Sequence, residues 1–257
     1  MSDAVHPAAV AGYTASADTY VSGRPGYPAE VGDWLRETLA LGPGRTALEV
    51  GAGTGKFLPR LVETNARVIA LEPVDAMRAA LAQRNPEVTA IAGTAQEIPL
   101  ADASVDSVIC AQAFHWFATT AALAEMRRVL RIGGTLGLIW NVRDESMPWM
   151  AALEALVEPY AGDAPRYRSG AWRAVFPAPG FEPLPERRVP HPHVGDPEKV
   201  IVDRTLSVSF VAALPPAEQQ RIAARVRALI AATPELVGRD TISFPYETRM
   251  YAWRRTS

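Results

Sequence analysis

The 257-residue chain has a single cysteine, Cys110, and only two lysines, Lys56 and Lys199. One thiol cannot close an internal disulfide or furnish a zinc cluster or iron–sulfur site, so no metal centre is expected. No apolar run approaches the ~18 residues of a membrane span, which argues against a bilayer protein. Charge of one sign is also missing: 26 Lys and Arg against 28 Asp and Glu leave −2, too little to recruit nucleic acid. The first twenty residues lack the basic-then-apolar layout of a secretory signal, which predicts a cytoplasmic protein. What remains is an ordinary globular composition, 48% hydrophobic and 21% charged. It suits one large domain, or one domain with a modest appendage. Nothing in it sets the oligomeric state.

Through residue 140 the apolar period switches repeatedly between strand-like runs and helix-like stretches, the pattern of an alternating βα chain with a parallel sheet. A helix is predicted over 29–41, where Val31, Leu35 and Leu39 fall at near-helical spacing and Gly42-Pro43-Gly44 stops it. Strands are predicted at 46–50, 68–71, 88–92, 105–111 and 136–140, with helices at 57–63, 75–83 and 123–130. Prolines crowd the stretch from Pro148 to Pro197 and the texture becomes less regular. Helices are expected there at 149–157, 197–210 and 216–232, and late strands at 187–190 and 242–253.

The strongest local signal is Leu48-Glu49-Val50-Gly51-Ala52-Gly53-Thr54-Gly55, a strand that runs into a glycine loop. Glycine lets backbone approach a ligand closely. The spacing differs from the Gly-x-Gly-x-x-Gly of dinucleotide sites, and Lys56 follows without the loop of a Walker motif. Glu72 ends the next strand about twenty residues on, where a carboxylate can accept both hydroxyls of a ribose. Loop and acid together argue for an adenosine-bearing ligand. The alternatives are a packing turn for the glycines and a helix N-terminal acid for Glu72.

Further motifs follow in order: Glu72-Pro73, Gly93-Thr94-Ala95-Gln96-Glu97-Ile98-Pro99, Ser104-Val105-Asp106, and Arg128-Val129-Leu130-Arg131-Ile132-Gly133-Gly134. With Glu49 to Gly55 they resemble the class I S-adenosylmethionine-dependent methyltransferases of the type 11 group. Arg24-Pro25-Gly26-Tyr27-Pro28 and Gln112-Ala113-Phe114-His115-Trp116-Phe117 resemble the trans-aconitate methyltransferase-like branch, whose members methylate small acids and varied metabolites. The resemblance implies an α/β fold with a doubly wound, Rossmann-like seven-stranded sheet, its last strand antiparallel, and a helical lid insertion in the C-terminal half. It implies S-adenosyl-L-methionine as cofactor. Tyr20 and Arg24 would fold over the cofactor, and Glu49, Gly51, Ala52, Gly53 and Gly55 would face its methionine portion. Glu72 and Pro73 would lie at the ribose, Met77 on one adenine face, Thr94, Ala95 and Gln96 around the adenine edge, and Gln112 beside the sulfonium. Thr94 stands where the family has Asp, which shifts adenine recognition towards the Ala95 backbone and Gln96, and Ile132 stands where it has Pro.

His115 and Trp116 follow the fourth strand at the carboxyl edge, where open α/β sheets bind ligands, and Trp140, Asn141 and Arg143 end the fifth strand beside them. His115, Trp116, Trp140 and Arg143 are the candidate acceptor contacts. His115 can act as a base or a hydrogen-bond partner, or serve only as a pocket wall. Arg143 can hold an anionic acceptor or pair with Asp144, and Arg24 can clamp a carboxylate with its fork. Methyl transfer is an in-line displacement from an activated donor, so alignment matters more than acid–base chemistry. An ionised carboxylate needs no base, whereas a phenol, alcohol or amine would call on His115.

The expected organisation is a cofactor-covering segment at 1–40, a cofactor-binding core at 41–140, and an acceptor lid with closing strands at 141–257. Trp149, Tyr160, Tyr167, Trp172 and Phe210 would supply the lid's apolar walls. The expected activity is methylation of a small-molecule acceptor, most simply O-methylation of a small organic acid or secondary metabolite, with neither nucleic acid nor membrane as partner. A nicotinamide-dependent oxidoreductase is the rival, disfavoured by the glycine spacing and the 93–99 motif. A non-catalytic S-adenosylmethionine-binding protein is the third reading.

Overall fold

Alternate residues of a strand face opposite sides of a sheet, and the short apolar runs of this chain sort accordingly. The computed structural model describes residues 25–257, so Tyr20 and Arg24 lie outside the described residues. Leu48 and Val50 of strand β1 (Thr46–Val50) join one core layer and Ala47 the other. The same alternation divides Ile69 and Leu71 from Val68 and Ala70 in β2 (Arg67–Leu71), and Val108 and Cys110 from Ile109 in β4 (Val105–Ala111). Helices α1 (Glu30–Glu37), α2 (Leu58–Val62) and α3 (Asp75–Arg84) cover one face through Trp34, Leu35, Leu58, Leu61 and Leu81. Helix α4 (Thr120–Val129) covers the other through Leu123, Met126 and Val129. Its first turn is capped by the Thr119 hydroxyl, which accepts the Ala122 N–H at 3.1 Å.

The remaining strands are β3 (Thr89–Ile91), β5 (Leu130–Arg143), β6 (Phe181–Pro190), β7 (His193–Gly195), β8 (Ile242–Phe244) and β9 (Tyr246–Arg255). Seven strands form one sheet in the order β3-β2-β1-β4-β5-β9-β6. β1 to β5 are mutually parallel, and β9 runs antiparallel to both β5 and β6. This is the expected doubly wound α/β sheet with an antiparallel closing strand. The chain winds outwards from β1 to β3 and then returns to place β4 on the other side of β1. That reversal opens a crevice at the carboxyl ends of β1 and β4, where such sheets take ligands.

A third apolar cluster lies apart from the two sheet faces. Trp149, Met150, Leu153 and Val157 of α5 (Pro148–Val157) meet Ile222 and Val226 of α6 (Pro216–Ala232), Ile201, Val202 and Phe244. Of the expected pocket walls, Trp149, Tyr160 and Phe210 belong to this cluster, while Tyr167 and Trp172 pack on the sheet. Several boundaries differ from the periodicity; the late strand expected at 187–190 is β6, which starts six residues earlier and pairs with β9 from Phe181. The helix predicted at 197–210 is a π-helical turn Glu198–Asp203 followed by the short pieces Arg204–Leu206 and Ser209–Ala212. The Thr205 and Ser207 hydroxyls donate back to the Ile201 and Arg204 carbonyls, which bends helices. The strand predicted at 242–253 divides around Pro245 into β8, paired with β7, and β9; a proline cannot donate to a ladder. β5 starts six residues early because Leu130, whose N–H closes α4, already pairs with Val105.

Asp106 on β4 binds this sheet to its flanks. Its carboxylate accepts the Thr46 N–H at 2.8 Å and the Arg45 and Arg131 guanidiniums at 2.9 and 2.8 Å. Burial alone would raise its pKa, yet these donors hold it below the usual aspartate range. A depressed carboxylate stabilises the fold above its unfolded pKa, and that contribution is lost as pH falls through the folded value. Asp106→Ala should cost about 1–3 kcal/mol at neutral pH and flatten the acid limb of a plot of urea midpoint against pH. An acid limb identical to that of the wild type would contradict this role.

Candidate cofactor and acceptor site

The crevice is lined first by the loop after β1. Gly51 and Gly53 both take left-handed backbone angles, with φ of +73° and +58°. A Cβ on Gly51 would stand 2.9 Å from the Ala113 Cβ and 3.1 Å from the Phe117 ring, so that glycine is required by packing. A Cβ on Gly53 would meet nothing within 4 Å among the described residues, so the backbone there borders open space. The Gly53 N–H donates to Glu72 Oε2 at 2.8 Å and the Val74 N–H to Glu72 Oε1 at 3.0 Å. Those bonds lock the acid across the loop at the end of β2. Ala52 is buried behind it.

Glu49 is the electrostatic anomaly. It is only 1% exposed, and its Oε2 has no hydrogen-bond partner among the described residues. Burial, and secondarily the charge of Glu72, push its pKa well above the ordinary glutamate value. Burial also raises Glu72, against the lowering effect of the Val74 and Gly53 N–H groups and Arg78. The Thr54 hydroxyl is a second buried polar atom of this loop with no partner among the described residues. Two buried carboxylic groups and an unsatisfied hydroxyl in a glycine cradle suit a ligand that brings a cation and hydrogen-bond donors.

Of the residues expected around an adenine, Met77 and Ala95 are buried and Pro73, Thr94 and Gln96 half-buried. Thr94 forms an isolated antiparallel bridge with Glu97. Arg128 holds this loop from α4, donating to the Ile98 and Leu100 carbonyls at 2.8 Å each. Glu125 Oε2 accepts the Ile98 N–H at 3.0 Å. The sequence shows the 93–99 and 128–134 motifs but not that one braces the other.

At the positions expected to face the acceptor, Gln112 follows β4 with a left-handed φ of +57°, and its Nε2 donates to the Asn141 carbonyl at 3.3 Å. A non-glycine residue in that region is a strained position of the kind found at ligand sites. Residues 25–28 cross this edge as a strap. Gly26 O accepts Asn141 Nδ2 at 2.8 Å and His191 Nε2 at 3.0 Å, and Tyr27 O accepts Arg60 Nη2 at 2.8 Å. Neither Asn141, His191 nor Arg60 stands out in the sequence as a holder of this strap. His115 and Trp116 occupy a 3-10 turn directly after β4, their rings 5.4 Å apart. Trp140 is buried, and its indole N–H points to His115 Nδ1 at 3.2 Å. Arg143 pairs with Glu154 rather than Asp144, whose carboxylate accepts the Ser146 N–H. Its guanidinium also lies 5.7 Å above the Phe244 ring.

Comparison with known proteins fits this geometry. Residues 48–138 match the methyltransferase-domain family. The chain is 36% identical over 236 residues to an uncharacterized methyltransferase-like protein of Schizosaccharomyces pombe, covering 91% of each chain. It is 38% identical over 229 residues to an uncharacterized methyltransferase of Mycobacterium tuberculosis, covering 89% of each. The solved structure of a candidate type II methyltransferase from Anaeromyxobacter dehalogenans matches with a TM-score of 0.67 at 27% identity, covering 91% of this chain and 98% of that one. The chain belongs to the methyltransferase family and is an S-adenosylmethionine-dependent enzyme with the class I fold. No helix among the described residues is long and apolar enough to cross a membrane.

The residues present fit the family's cofactor, a cation with an amino group and a ribose. Glu49, Thr54 and the Gly51 to Gly55 backbone would hold its charged end, and Glu72 its ribose. This makes a signed prediction. A cationic ligand lowers the Glu49 pKa, so binding releases a proton and affinity rises with pH through the raised value of the free protein. Glu49→Gln should weaken S-adenosylmethionine binding about tenfold or more, for loss of a charge-assisted contact of about 1.5–3 kcal/mol. It should also remove that pH dependence. A raised carboxyl destabilises the free fold as pH climbs past its unfolded pKa, so the same variant should be more stable than wild type at neutral pH. Calorimetry at several pH values and thermal melts read both effects, and a pH dependence that survives in the variant would assign it elsewhere.

Proposed function

We propose that the enzyme methylates an oxygen of a small, anionic metabolite, as in the trans-aconitate methyltransferase-like branch. The observation that carries this reading is the positive field at the ends of β5 and β9. Tyr246 is buried there with its hydroxyl 2.8 Å from Arg204 Nε. Burial would raise the phenol, yet Arg204 and Arg143 hold its pKa below the ordinary tyrosine value. His193, on neighbouring β7, is lowered by burial and then by Lys56 and Arg204. Arg204 and Arg143 thus flank the Tyr246 hydroxyl, Arg143 being also paired with Glu154, and Lys56 and Arg204 act on His193; cations gathered at this edge support a carboxylate acceptor over an amine.

Bound S-adenosylmethionine supplies an electrophilic methyl group. The chain's task is to align the acceptor with it and keep water out. Gln112 and the strap at 25–28 border the place where the two meet, and His115 and Trp116 face it from the end of β4. An acceptor that is already ionised requires no proton to be removed. In this reading residues 1–40 cover the cofactor, 41–140 hold it, and 141–257 shape the acceptor pocket, on a cytoplasmic small-molecule substrate with no nucleic acid partner.

Incubation with S-adenosylmethionine labelled in the methyl group, against panels of mono- and dicarboxylates, phenols and amines, tests the proposal. Labelling confined to carboxylates supports it, and labelling confined to amines or neutral phenols would sink it. Exchanging residues 141–240 for those of a relative should change acceptor choice without changing cofactor affinity.

A further inference from the structure

The contact between Trp140 and His115 defines more than a wall. Trp140 is 1% exposed and fixed by its neighbours, with the Trp172 and Tyr167 rings at 4.7 and 5.0 Å and the Tyr251 ring at 6.0 Å. That surround is itself bonded. The Tyr167 and Tyr251 hydroxyls lie 2.8 Å apart, Arg173 Nη2 donates to Tyr251 at 3.0 Å, and the Trp172 indole N–H donates to the Tyr167 carbonyl at 3.2 Å. The Trp140 ring therefore cannot turn without displacing several others, and its N–H remains aimed at His115 Nδ1.

An indole N–H is only a donor, so Nδ1 must present a lone pair to it. A neutral imidazole with a lone pair on Nδ1 carries its proton on Nε2. The opposite tautomer would set two N–H groups against each other and leave the buried Trp140 donor unpaired, which is costly. Such a ring has no lone pair on Nε2 with which to remove a proton from an acceptor. It can only donate there.

We infer that Trp140 is a positioning residue that fixes His115 as the Nε2–H tautomer, making His115 a hydrogen-bond donor to an acceptor oxygen and not a proton-abstracting base. The inference rests on the methyltransferase reading for the identity of that oxygen, but not for the tautomer itself. During transfer the methyl carbon's bond to sulfur breaks as its bond to the acceptor oxygen forms, and no proton passes to His115. The acceptors this selects are those ionised before they bind.

The tautomer is readable without knowing the acceptor. The chain has four histidines, so nitrogen-15 spectra of the full chain, labelled at the histidine rings and recorded where the rings are neutral, can be assigned by the signal lost in His115→Gln. The expected wild-type pattern is an unprotonated Nδ1 and a protonated Nε2 at His115. In Trp140→Phe, which removes the donor and keeps an aromatic ring, both nitrogen signals should move towards the average of a mixed population. A wild-type ring protonated on Nδ1 would overturn the inference, as would an unchanged pattern in Trp140→Phe. If that variant does not fold, the wild-type spectrum decides. Calorimetry with S-adenosylhomocysteine on the same sample separates failure of the methyltransferase reading, since absent binding there would leave the tautomer result standing.

Discussion

Glu72→Ala should lower S-adenosylmethionine affinity by about two orders of magnitude while the protein still folds. A carboxylate that accepts from two ribose hydroxyls makes charge-assisted bonds of about 1.5–3 kcal/mol each, and loss of both corresponds to a hundredfold or more. The stability of the free protein should change far less. The substitution forfeits the bonds from Gly53 and Val74, but it also removes a buried acid whose charge raises the Glu49 pKa. Glu72→Gln, which keeps one acceptor oxygen, should fall between the two proteins. The thermal shift produced by S-adenosylhomocysteine should shrink in the same order, because ligand stabilisation follows affinity. An alanine variant within threefold of wild-type affinity would show that the acid serves the loop and not the ribose.

The second large effect separates two glycines that look equivalent in the sequence. Gly51→Ala and Gly53→Ala each impose a left-handed angle on a residue with a Cβ, at about 1–2 kcal/mol. At Gly51 the new methyl also collides with Ala113 and Phe117, adding about 1–3 kcal/mol of overpacking. Gly51→Ala should therefore be strongly destabilised in urea, with cofactor binding lost through the fold. At Gly53 the methyl enters open space. Gly53→Ala should melt only a few degrees below the wild type and above Gly51→Ala, yet bind the cofactor at least tenfold more weakly, because the methyl occupies volume the ligand needs. Equal binding by Gly53→Ala and wild type would mean that the cofactor lies elsewhere.

The two glycines also mark how far the sequence could be read. Their spacing, Glu72 and the apolar runs of the first half depend on local chemistry, and these pointed to the strands and to an adenosine-bearing ligand, while the resemblance of the later motifs implied S-adenosylmethionine. What escaped depends on contacts between distant segments. Gly26 and Asn141 are joined across 115 residues, and no periodicity reports such a bond. In the sequence Arg143 could pair with its neighbour Asp144 or hold a substrate, and only the turn of the chain into α5 after β5 brings Glu154 to it. Pro245 was visible as a residue but not as the divider of two strands in different sheets, because the apolar alternation continues on both sides of it. His115 and Trp140 were placed correctly at adjacent strand ends. The bond between them required side-chain rotamers that are set by Tyr167, Trp172 and Tyr251.

The central claim is that the crevice between the β1 loop and Glu72 binds S-adenosylmethionine. Calorimetric titration of the purified chain with S-adenosylmethionine and S-adenosylhomocysteine tests it most directly. Saturable, one-to-one binding of both ligands, weakened in Glu72→Ala and Gly53→Ala, is the predicted result. A folded protein that binds neither ligand would contradict it, leaving Glu49, Thr54 and the glycine loop to be explained by another ligand.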